Sequence, residues 1–438
     1  MSAFPRRHPA DRTLRPVLRP LAAVTLALPL ALGAALAPVQ AADPADPSVP
    51  DTSRSAIDSP AEARTSNARN ALADWAGQAG LARGKAKGAT FVDGRLRFDR
   101  SAGTVRTGGT TWERATWTSK WTSPGFSFTQ LIPSWQARTP GRSAVRVRVR
   151  ARTSDGRRSS WDSLALWAAK DKHLARRSYG RQADDLGRVD VDTWVASGSM
   201  TSFKVRVELL RPVGRKVRPS IDRVTATAGT PATVSNVSVS KPGVAKGIVL
   251  DVPSYSQMTH RGHYPQFGGG GEAWCSPTSV SMVLAYHRAL PGTKALAWIP
   301  GTHTDRVVDH GARSTYDHAY RGAGNWSFSA AYAASRGRQA HVERMADLRA
   351  VEKKIKAGIP VIVSVRFAAG ELSGAPIRAT NGHLMVVVGF TRSGDVVVND
   401  PAASSNAGVR RTYDRRQFEN VWLPPSPSGS GGLTYVIS

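Results

Sequence analysis

The sequence contains one cysteine, and its surroundings predict a reactive thiol. Cys275 follows the glycine run 268–271 and precedes Ser276 and Pro277, which suit the first turn of a helix. A thiol at a helix N-terminus lies beside unpaired amide donors and the positive end of the helix dipole, which stabilise the thiolate. The alternative is a small buried hydrophobic side chain. The loop-to-helix setting favours a nucleophile.

A thiol nucleophile needs a proton acceptor from another part of the chain, and His383 is the best candidate. It heads the apolar run 384–388, and a second apolar run, 396–398, is followed by Asn399 and Asp400. In a hairpin formed by these runs, His383 and Asp400 would lie at matching ends. A carboxylate there would fix the imidazole tautomer and stabilise the imidazolium. If each residue were considered alone, His383 would be interpreted as a core histidine and Asp400 as a turn aspartate.

Acyl transfer also needs hydrogen-bond donors aimed at the developing oxyanion. Gln257 lies upstream of the nucleophile and carries a suitable amide group. The backbone N–H of Cys275 would be the second donor. A surface glutamine is the alternative interpretation of Gln257.

Four motifs in this order resemble those of the C39-like peptidases, bacterial members of the papain-like cysteine peptidase superfamily. They are Val-Pro-Ser-Tyr-Ser-Gln at 252–257, Trp-Cys-Ser-Pro-Thr-Ser at 274–279, Gly-His-Leu at 382–384 and Val-Asn-Asp-Pro at 398–401. The resemblance implies that Gln257 lines the oxyanion hole and that Cys275 is the nucleophile. It implies that His383 acts as general base and acid, oriented by Asp400. A peptide or protein substrate would follow.

The sequence departs from the best-understood relatives, which are fused to exporters and cut double-glycine leaders. It shows neither a transporter span nor a nucleotide-binding P-loop. That specificity is therefore not expected here.

The 438 residues exceed what one hydrophobic core usually holds, so we predict two domains. We expect a linker or disordered tail at 42–88, an antiparallel β-sandwich at 89–229, a linker at 230–247 and a second domain at 248–438. The second domain shows helical patterns followed by strands. The predicted fold is an N-terminal all-β sandwich followed by an α+β domain, papain-like by resemblance. The sandwich resembles the domain that accompanies such units in secreted actinobacterial proteins.

The N-terminus predicts export. Residues 1–41 combine an arginine-rich start, an apolar core at 21–36 and small residues before Ala41, which is the pattern of a signal peptide. An uncleaved anchor is the alternative, and no transmembrane span is expected after removal of the signal. We predict a secreted, extracellular protein, with cell-wall association as an option. A single cysteine excludes an intramolecular disulfide.

The charge of the chain suggests one class of partner. A net charge of +28, from 60 Lys and Arg against 32 Asp and Glu, favours contact with polyanions such as anionic cell-envelope polymers. The basic residues are spread along strand-like runs such as 146–150 and form no compact patch with exposed aromatics. Specific nucleic-acid binding is therefore not expected.

A second group of polar residues is dense in the side-chain types that bind metals: His303, Asp305, Asp309, His310, Asp317 and His318. Their spacing matches no metal motif, and we interpret them as turn caps and ion pairs. No metal and no cofactor are expected.

Two other functions stay open from the sequence. One is a non-catalytic cell-wall or glycan-binding protein on the same scaffold. The other is a wall amidase or transpeptidase, which would keep the thiol chemistry and change the reaction.

Overall fold

The computed structural model describes residues 69–180, 182–183, 185–231, 237–425 and 429–438. The predicted signal peptide at 1–41 and the tail from 42 to 68 lie outside the described residues. The described residues belong to one compact unit. Among them, no helix is sufficiently long and apolar for a membrane crossing.

The first domain is built almost entirely of strands. Its elements are β1 (Arg69–Ala76), α1 (Gly77–Ala82), β2 (Lys85–Lys87), β3 (Ala89–Val92), β4 (Arg95–Phe98), β5 (Thr104–Thr107), β6 (Thr110–Thr118), β7 (Phe128–Arg138), β8 (Ala144–Arg152), β9 (Asp162–Trp167), a 3-10 turn (Asp171–His173), β10 (Arg177–Ser178), β11 (Gly187–Asp190), β12 (Thr193–Met200), β13 (Ser202–Pro212) and β14 (Ser220–Thr230).

These strands form two antiparallel sheets that enclose a core. One sheet has the order β11-β12-β7-β14-β4-β3, with β1 also paired to β14. The other has the order β10-β9-β8-β13-β6-β2, with β5 also paired to β6. In β8 the valines at 145, 147 and 149 are buried, whereas Arg148, Arg150 and Arg152 lie at its partly exposed positions. This alternation is what a strand with one buried face requires.

The prediction of a linker over 42–88 is wrong from Arg69 onward. β1 pairs with β14 along its whole length, and β2 pairs with β6. Trp75 and Leu81 are 5% and 1% exposed, and Trp75 packs edge-on against Trp117 with ring centroids 5.5 Å apart. Burial of these apolar side chains outweighs the linker-like composition around them.

The second domain combines helices with one sheet. Its elements are three 3-10 turns (Gln257–His260, Pro265–Phe267 and Gly271–Ala273), α2 (Cys275–Tyr286), α3 (Thr293–Leu296), α4 (Arg306–Thr315), α5 (Trp326–Ser335), β15 (Ala340–Arg344), α6 (Leu348–Lys356), β16 (Val361–Phe367), β17 (Thr380–Phe390), β18 (Val396–Asn399), a 3-10 turn (Asn406–Gly408), β19 (Arg410–Tyr413), α7 (Arg415–Trp422) and β20 (Leu433–Ile437).

The sheet is antiparallel and covered on both faces. Its strand order is β15-β20-β16-β17-β18-β19. In β17, Leu384, Val386 and Val388 share a core with α2 and α5, whereas Met385 and Val387 share a core with α6 and α7. Burial on both faces explains why this strand is a continuous apolar run. Unlike the expected order of helices followed by strands, α6 and α7 are interleaved with the strands.

The two domains share a packed interface that the sequence did not predict. The ring of Phe328 in α5 meets Trp135 of β7 edge-on, with centroids 6.3 Å apart, and both are buried. Ser327 Oγ donates to Pro133 O at 2.7 Å, and Thr227 Oγ1 donates to Val342 O at 2.8 Å. The first domain therefore supports α5, which packs against the helix that begins at the cysteine.

The described part of the predicted linker at 230–247 is also fixed to the second domain. The Glu352 carboxylate accepts hydrogen bonds from the backbone N–H groups of Gly243 and Ala245, at 2.8 and 3.1 Å. The Ser240 hydroxyl donates to Glu419 at 2.6 Å. These contacts make residues 240–245 part of the folded domain.

Candidate active site

Cys275 is the first residue of α2, as the sequence predicted. The chain reaches it through Gly268, Gly269 and Gly270, with φ of 94°, 104° and 106°, a region that favours glycine. At Gly271 a Cβ atom would lie 2.4 Å from Gln257 O and from the carbonyl carbon of His260. The glycine run thus allows the loop before the cysteine to pack directly against the turn that carries Gln257.

Hydrogen bonds from α2 fix the position of the thiol. Ser279 Oγ, one helical turn after Cys275, donates to the carbonyl of Leu384 at 3.1 Å. Leu384 is the residue after His383, so this bond ties the cysteine helix to the histidine strand. The Ser276 hydroxyl is within 2.9 Å of Ser329 Oγ in α5.

His383 and Asp400 form a buried pair. His383 Nε2 lies 2.7 Å from Asp400 Oδ1, and the two residues are 3% and 0% exposed. The same oxygen accepts from the backbone N–H of Ala402 at 3.0 Å, and Oδ2 accepts from the Tyr413 hydroxyl at 2.8 Å. With Nε2 directed at the carboxylate, Nδ1 is the imidazole nitrogen left on the side of Cys275, whose thiol is close enough to His383 for the two groups to shift each other's pKa.

The electrostatics of the three groups favour an ion pair. Burial would raise the pKa of the Cys275 thiol, but the hydrogen bond and charge of His383, with backbone donors from Leu384 and Ser276, hold it below its ordinary value. Burial would lower the pKa of His383, but Asp400 and Cys275 raise it to about 10. Because the thiol pKa falls while the imidazole pKa rises, thiolate and imidazolium coexist over the pH range between them.

Asp400 remains a carboxylate despite its burial. Burial would raise its pKa, but the charge and hydrogen bond of His383, with donors from Ala402 and Tyr413, keep the pKa below its ordinary value. The acid therefore stays negative wherever the histidine is positive, which is the condition for stabilising an imidazolium.

Gln257 lies beside this group. It is 5% exposed, its Nε2 donates to Glu272 O at 2.7 Å, and its backbone N–H donates to Pro401 O at 2.8 Å. Its side chain therefore reaches Glu272 in the loop just before the cysteine, and its backbone is hydrogen-bonded to Pro401, the residue after Asp400. Nε2 carries a second hydrogen that the bond to Glu272 does not use.

The structure brings the four predicted residues, Cys275, His383, Asp400 and Gln257, into one connected site. Sequence reasoning missed Tyr413 and Ser279, which hold Asp400 and the helix in place. Tyr413 lies in β19, paired to β18 by register. The signal that could have indicated it is a tyrosine in the strand that follows the one ending just before Asp400.

The second polar group from the sequence separates in the structure. Asp305 accepts from Asn406 at 2.7 Å, and Asp317 accepts from the backbone of Ser178 at 3.0 Å and from Asn325 at 2.9 Å. Only His303 and Asp309 of that group come together, and they meet two histidines that the sequence analysis left out, His260 and His263.

Comparisons with known proteins cover both domains. Residues 71–229 match the model of the Peptidase C39 N-terminal domain, and residues 249–429 match that of the Peptidase_C39 like family. Among solved structures, the chain is similar to a Bacillus anthracis protein provisionally described as a C39-like peptidase, at 18% identity with a TM-score of 0.28, covering 44% of this chain and 98% of that one. No curated protein matches the chain. The two family matches identify a Peptidase C39 N-terminal domain ahead of a Peptidase_C39 like domain in this chain.

Proposed function

We propose that the protein is a secreted cysteine peptidase that hydrolyses peptide bonds with Cys275, His383, Asp400 and Gln257. The observation that carries this proposal is a cysteine at the start of α2, a helix tied through Ser279 to the strand of His383, whose Nε2 lies 2.7 Å from the buried Asp400 carboxylate. The helix that starts at the cysteine and packs on the strand bearing the histidine supports a papain-like α+β arrangement for this domain.

The proposed reaction begins with attack of the Cys275 thiolate on the substrate carbonyl carbon. The electron pair of the C=O bond moves to oxygen, and the oxyanion accepts hydrogen bonds from Gln257 Nε2 and the backbone N–H of Cys275. His383, as imidazolium, gives its proton to the leaving amine as the C–N bond breaks. His383 then takes a proton from water as the water oxygen attacks the acyl carbon; the C–S bond breaks, the acid is released, and the Cys275 thiolate and His383 imidazolium are restored.

Asp400 and its neighbours position the base in this scheme. With Nε2–H donated to Asp400, the lone pair of His383 Nδ1 points at the thiol side. Tyr413 and Ala402 saturate the carboxylate oxygens, so Asp400 cannot rotate away without losing two hydrogen bonds. The pair is therefore held in one geometry before substrate arrives.

The experiment should leave the thiol in place, because loss of the sole cysteine abolishes any thiol labelling trivially. We would compare wild type with His383→Ala and with the control His287→Ala, whose ring bonds Ile437 O at 3.1 Å outside the site. We expect rapid labelling of wild type and control by a peptidyl electrophile near neutral pH, and slow labelling of His383→Ala. Circular dichroism would verify that each variant is folded.

Turnover would be measured on a peptide library by mass spectrometry, with Cys275→Ala as the blank. Cleavage that depends on Cys275 supports the peptidase. Transfer products formed with an added amine acceptor would instead indicate a transpeptidase, and binding to purified wall material without cleavage would indicate a non-catalytic relative. Equal labelling rates for wild type and His383→Ala would overturn the proposal.

Secretion and contact with anionic envelope polymers are part of the same proposal. They rest on the N-terminal pattern of residues 1–41 and on the net charge of +28. Fractionation of a producing cell into medium, wall and cytosol would test both, and recovery in the cytosol alone would contradict them.

A further inference from the structure

Three histidine side chains from two segments of the chain converge on the carboxylate of Asp309. His260 Nδ1 lies 3.1 Å from Oδ2, and His263 Nδ1 lies 3.0 Å from Oδ1. His303 Nδ1 lies 3.7 Å from Oδ1, and the His303 ring stacks on that of His263 with centroids 3.7 Å apart. Asp309 and His260 are fully buried, whereas the side chains of His263 and His303 are 22% and 21% exposed, so the group extends from the domain interior to its surface.

The spacing of these atoms fits a metal ion. Ligand atoms of His260, His263 and Asp309 all lie within 4.8 Å of one another. Zinc bonds of about 2.0 to 2.1 Å in a tetrahedral site place neighbouring ligand atoms about 3.4 Å apart. The oxygen-to-nitrogen distances of 3.0, 3.1 and 3.7 Å fall on either side of that value.

The hydrogen-bond and ion-pair partners of these side chains also support a metal site. Among the residues that the structure describes, the buried His303 Nδ1 has no hydrogen-bond partner although it faces Asp309. The ion pairs described for Asp309 involve histidine only. A buried carboxylate requires compensating charge, and a divalent cation between it and three imidazole nitrogens would supply that charge.

We propose that His260, His263, His303 and Asp309 bind one Zn²⁺ ion. Three imidazole nitrogens and one carboxylate oxygen suit zinc, whereas magnesium and calcium prefer oxygen ligands throughout. Four protein ligands fill a tetrahedral shell and leave no open position, so the ion is structural.

The ion would fix the oxyanion side of the active site, an inference that rests on the proposed function. His260 ends the 3-10 turn that contains Gln257, and Asp309 lies in α4. Zinc would therefore hold that turn to α4 and keep Gln257 against the loop before Cys275. Metal binding itself does not depend on catalysis.

The test uses the full chain in a Cys275→Ser background, which removes the thiol as a competing zinc ligand. We would measure zinc per chain by mass spectrometry after dialysis, and the Tm with and without added ZnCl2. We expect about one zinc per chain and a Tm increase of at least about 3 °C with ZnCl2.

Two substitutions and one control decide the result. Asp309→Asn should abolish both the bound zinc and the Tm increase with ZnCl2. His303→Ala, which removes a partly exposed ring, should weaken zinc affinity at least tenfold while leaving the fold intact. The control His287→Ala removes a histidine outside the cluster and should change neither the zinc content nor the Tm increase. Failure of the background protein to bind zinc, or equal binding by His303→Ala, would overturn the proposal. Since Cys275 is absent throughout, such a failure leaves the peptidase assignment untouched.

Discussion

Replacement of Asp400 by Asn removes one charge from the site with little change in shape. The Asn oxygen can keep the hydrogen bonds from His383 Nε2 and the Ala402 N–H, at 2.7 and 3.0 Å in the native protein. The Asn NH2 group would then face the Tyr413 hydroxyl, which can rotate to accept from it. The imidazole tautomer is therefore retained, and only the electrostatic stabilisation of the imidazolium is lost.

The magnitude follows from the change in hydrogen-bond type. A bond to a charged group contributes about 1.5 to 3 kcal/mol and a neutral one about 1 kcal/mol, so the imidazolium loses about 0.5 to 2 kcal/mol. The thiolate–imidazolium pair then becomes about 2- to 30-fold less populated relative to the neutral pair, and the apparent pKa of Cys275 rises by about 0.4 to 1.5 pH units.

The assay needs no knowledge of the substrate, because Cys275 is the sole cysteine in the sequence. The rate of alkylation by iodoacetamide is measured from acid to alkaline pH for wild type, Asp400→Asn and Asp400→Ala. Since the pKa of Cys275 is lowered and that of His383 is raised, wild type should react well below the pH at which a free thiol ionises.

Asp400→Asn should shift this profile of rate against pH to higher pH by the predicted rise in the apparent pKa of Cys275. Asp400→Ala should lower the rate further, because the tautomer is no longer fixed. A profile for Asp400→Asn that coincides with that of wild type would refute the assignment of Asp400 as the partner of His383.

Two further predictions concern the domain interface. Burial raises the pKa of Asp192, which accepts from the Trp326 N–H at 2.6 Å, to about 7. A raised carboxyl pKa favours folding at low pH, so up to roughly 4 kcal/mol of stability should be lost as the pH rises from about 4 through 7. Urea unfolding at both ends of that range should show a smaller loss for Asp192→Asn, and an identical loss would contradict the attribution. Phe328→Ala, at the buried contact with Trp135, should lower the free energy of unfolding by about 3 to 5 kcal/mol. Val213→Ala, at a position 57% exposed, should change it by less than about 0.5 kcal/mol in the same urea titration, and equal effects would refute the interface argument.

Local patterns were sufficient for the elements that carry the site. A glycine run followed by Cys275, Ser276 and Pro277 indicated a helix start, and α2 begins at Cys275. Two apolar runs separated by a tight turn indicated a hairpin, and β17 pairs with β18. These patterns act within a few residues of one another, which is why sequence alone can reveal them.

Predictions from amino-acid composition were wrong where pairing of strands far apart in the chain decides the structure. Residues 69–87 are rich in Ala and Gly and resemble a tail, yet they form β1, α1 and β2 because β14 and β6 offer free edges and the core accepts Trp75. The cluster of histidines around Asp309 was not predicted from the sequence for the same reason. Its histidines come from the segment before the cysteine and from the loop before α4, and their spacing along the chain does not indicate that they meet.

The sequence by itself determined which residues are equipped for thiol chemistry and where the helix and strands that hold them begin, because residue types, caps and turn signals are local properties. Only the tertiary structure decided which nitrogen of His383 faces Asp400, that Tyr413 completes the carboxylate, that the two domains share a core, and that four polar side chains surround one buried site. Those contacts join residues far apart in the chain, and their geometry exists only after the sheets and helices have packed.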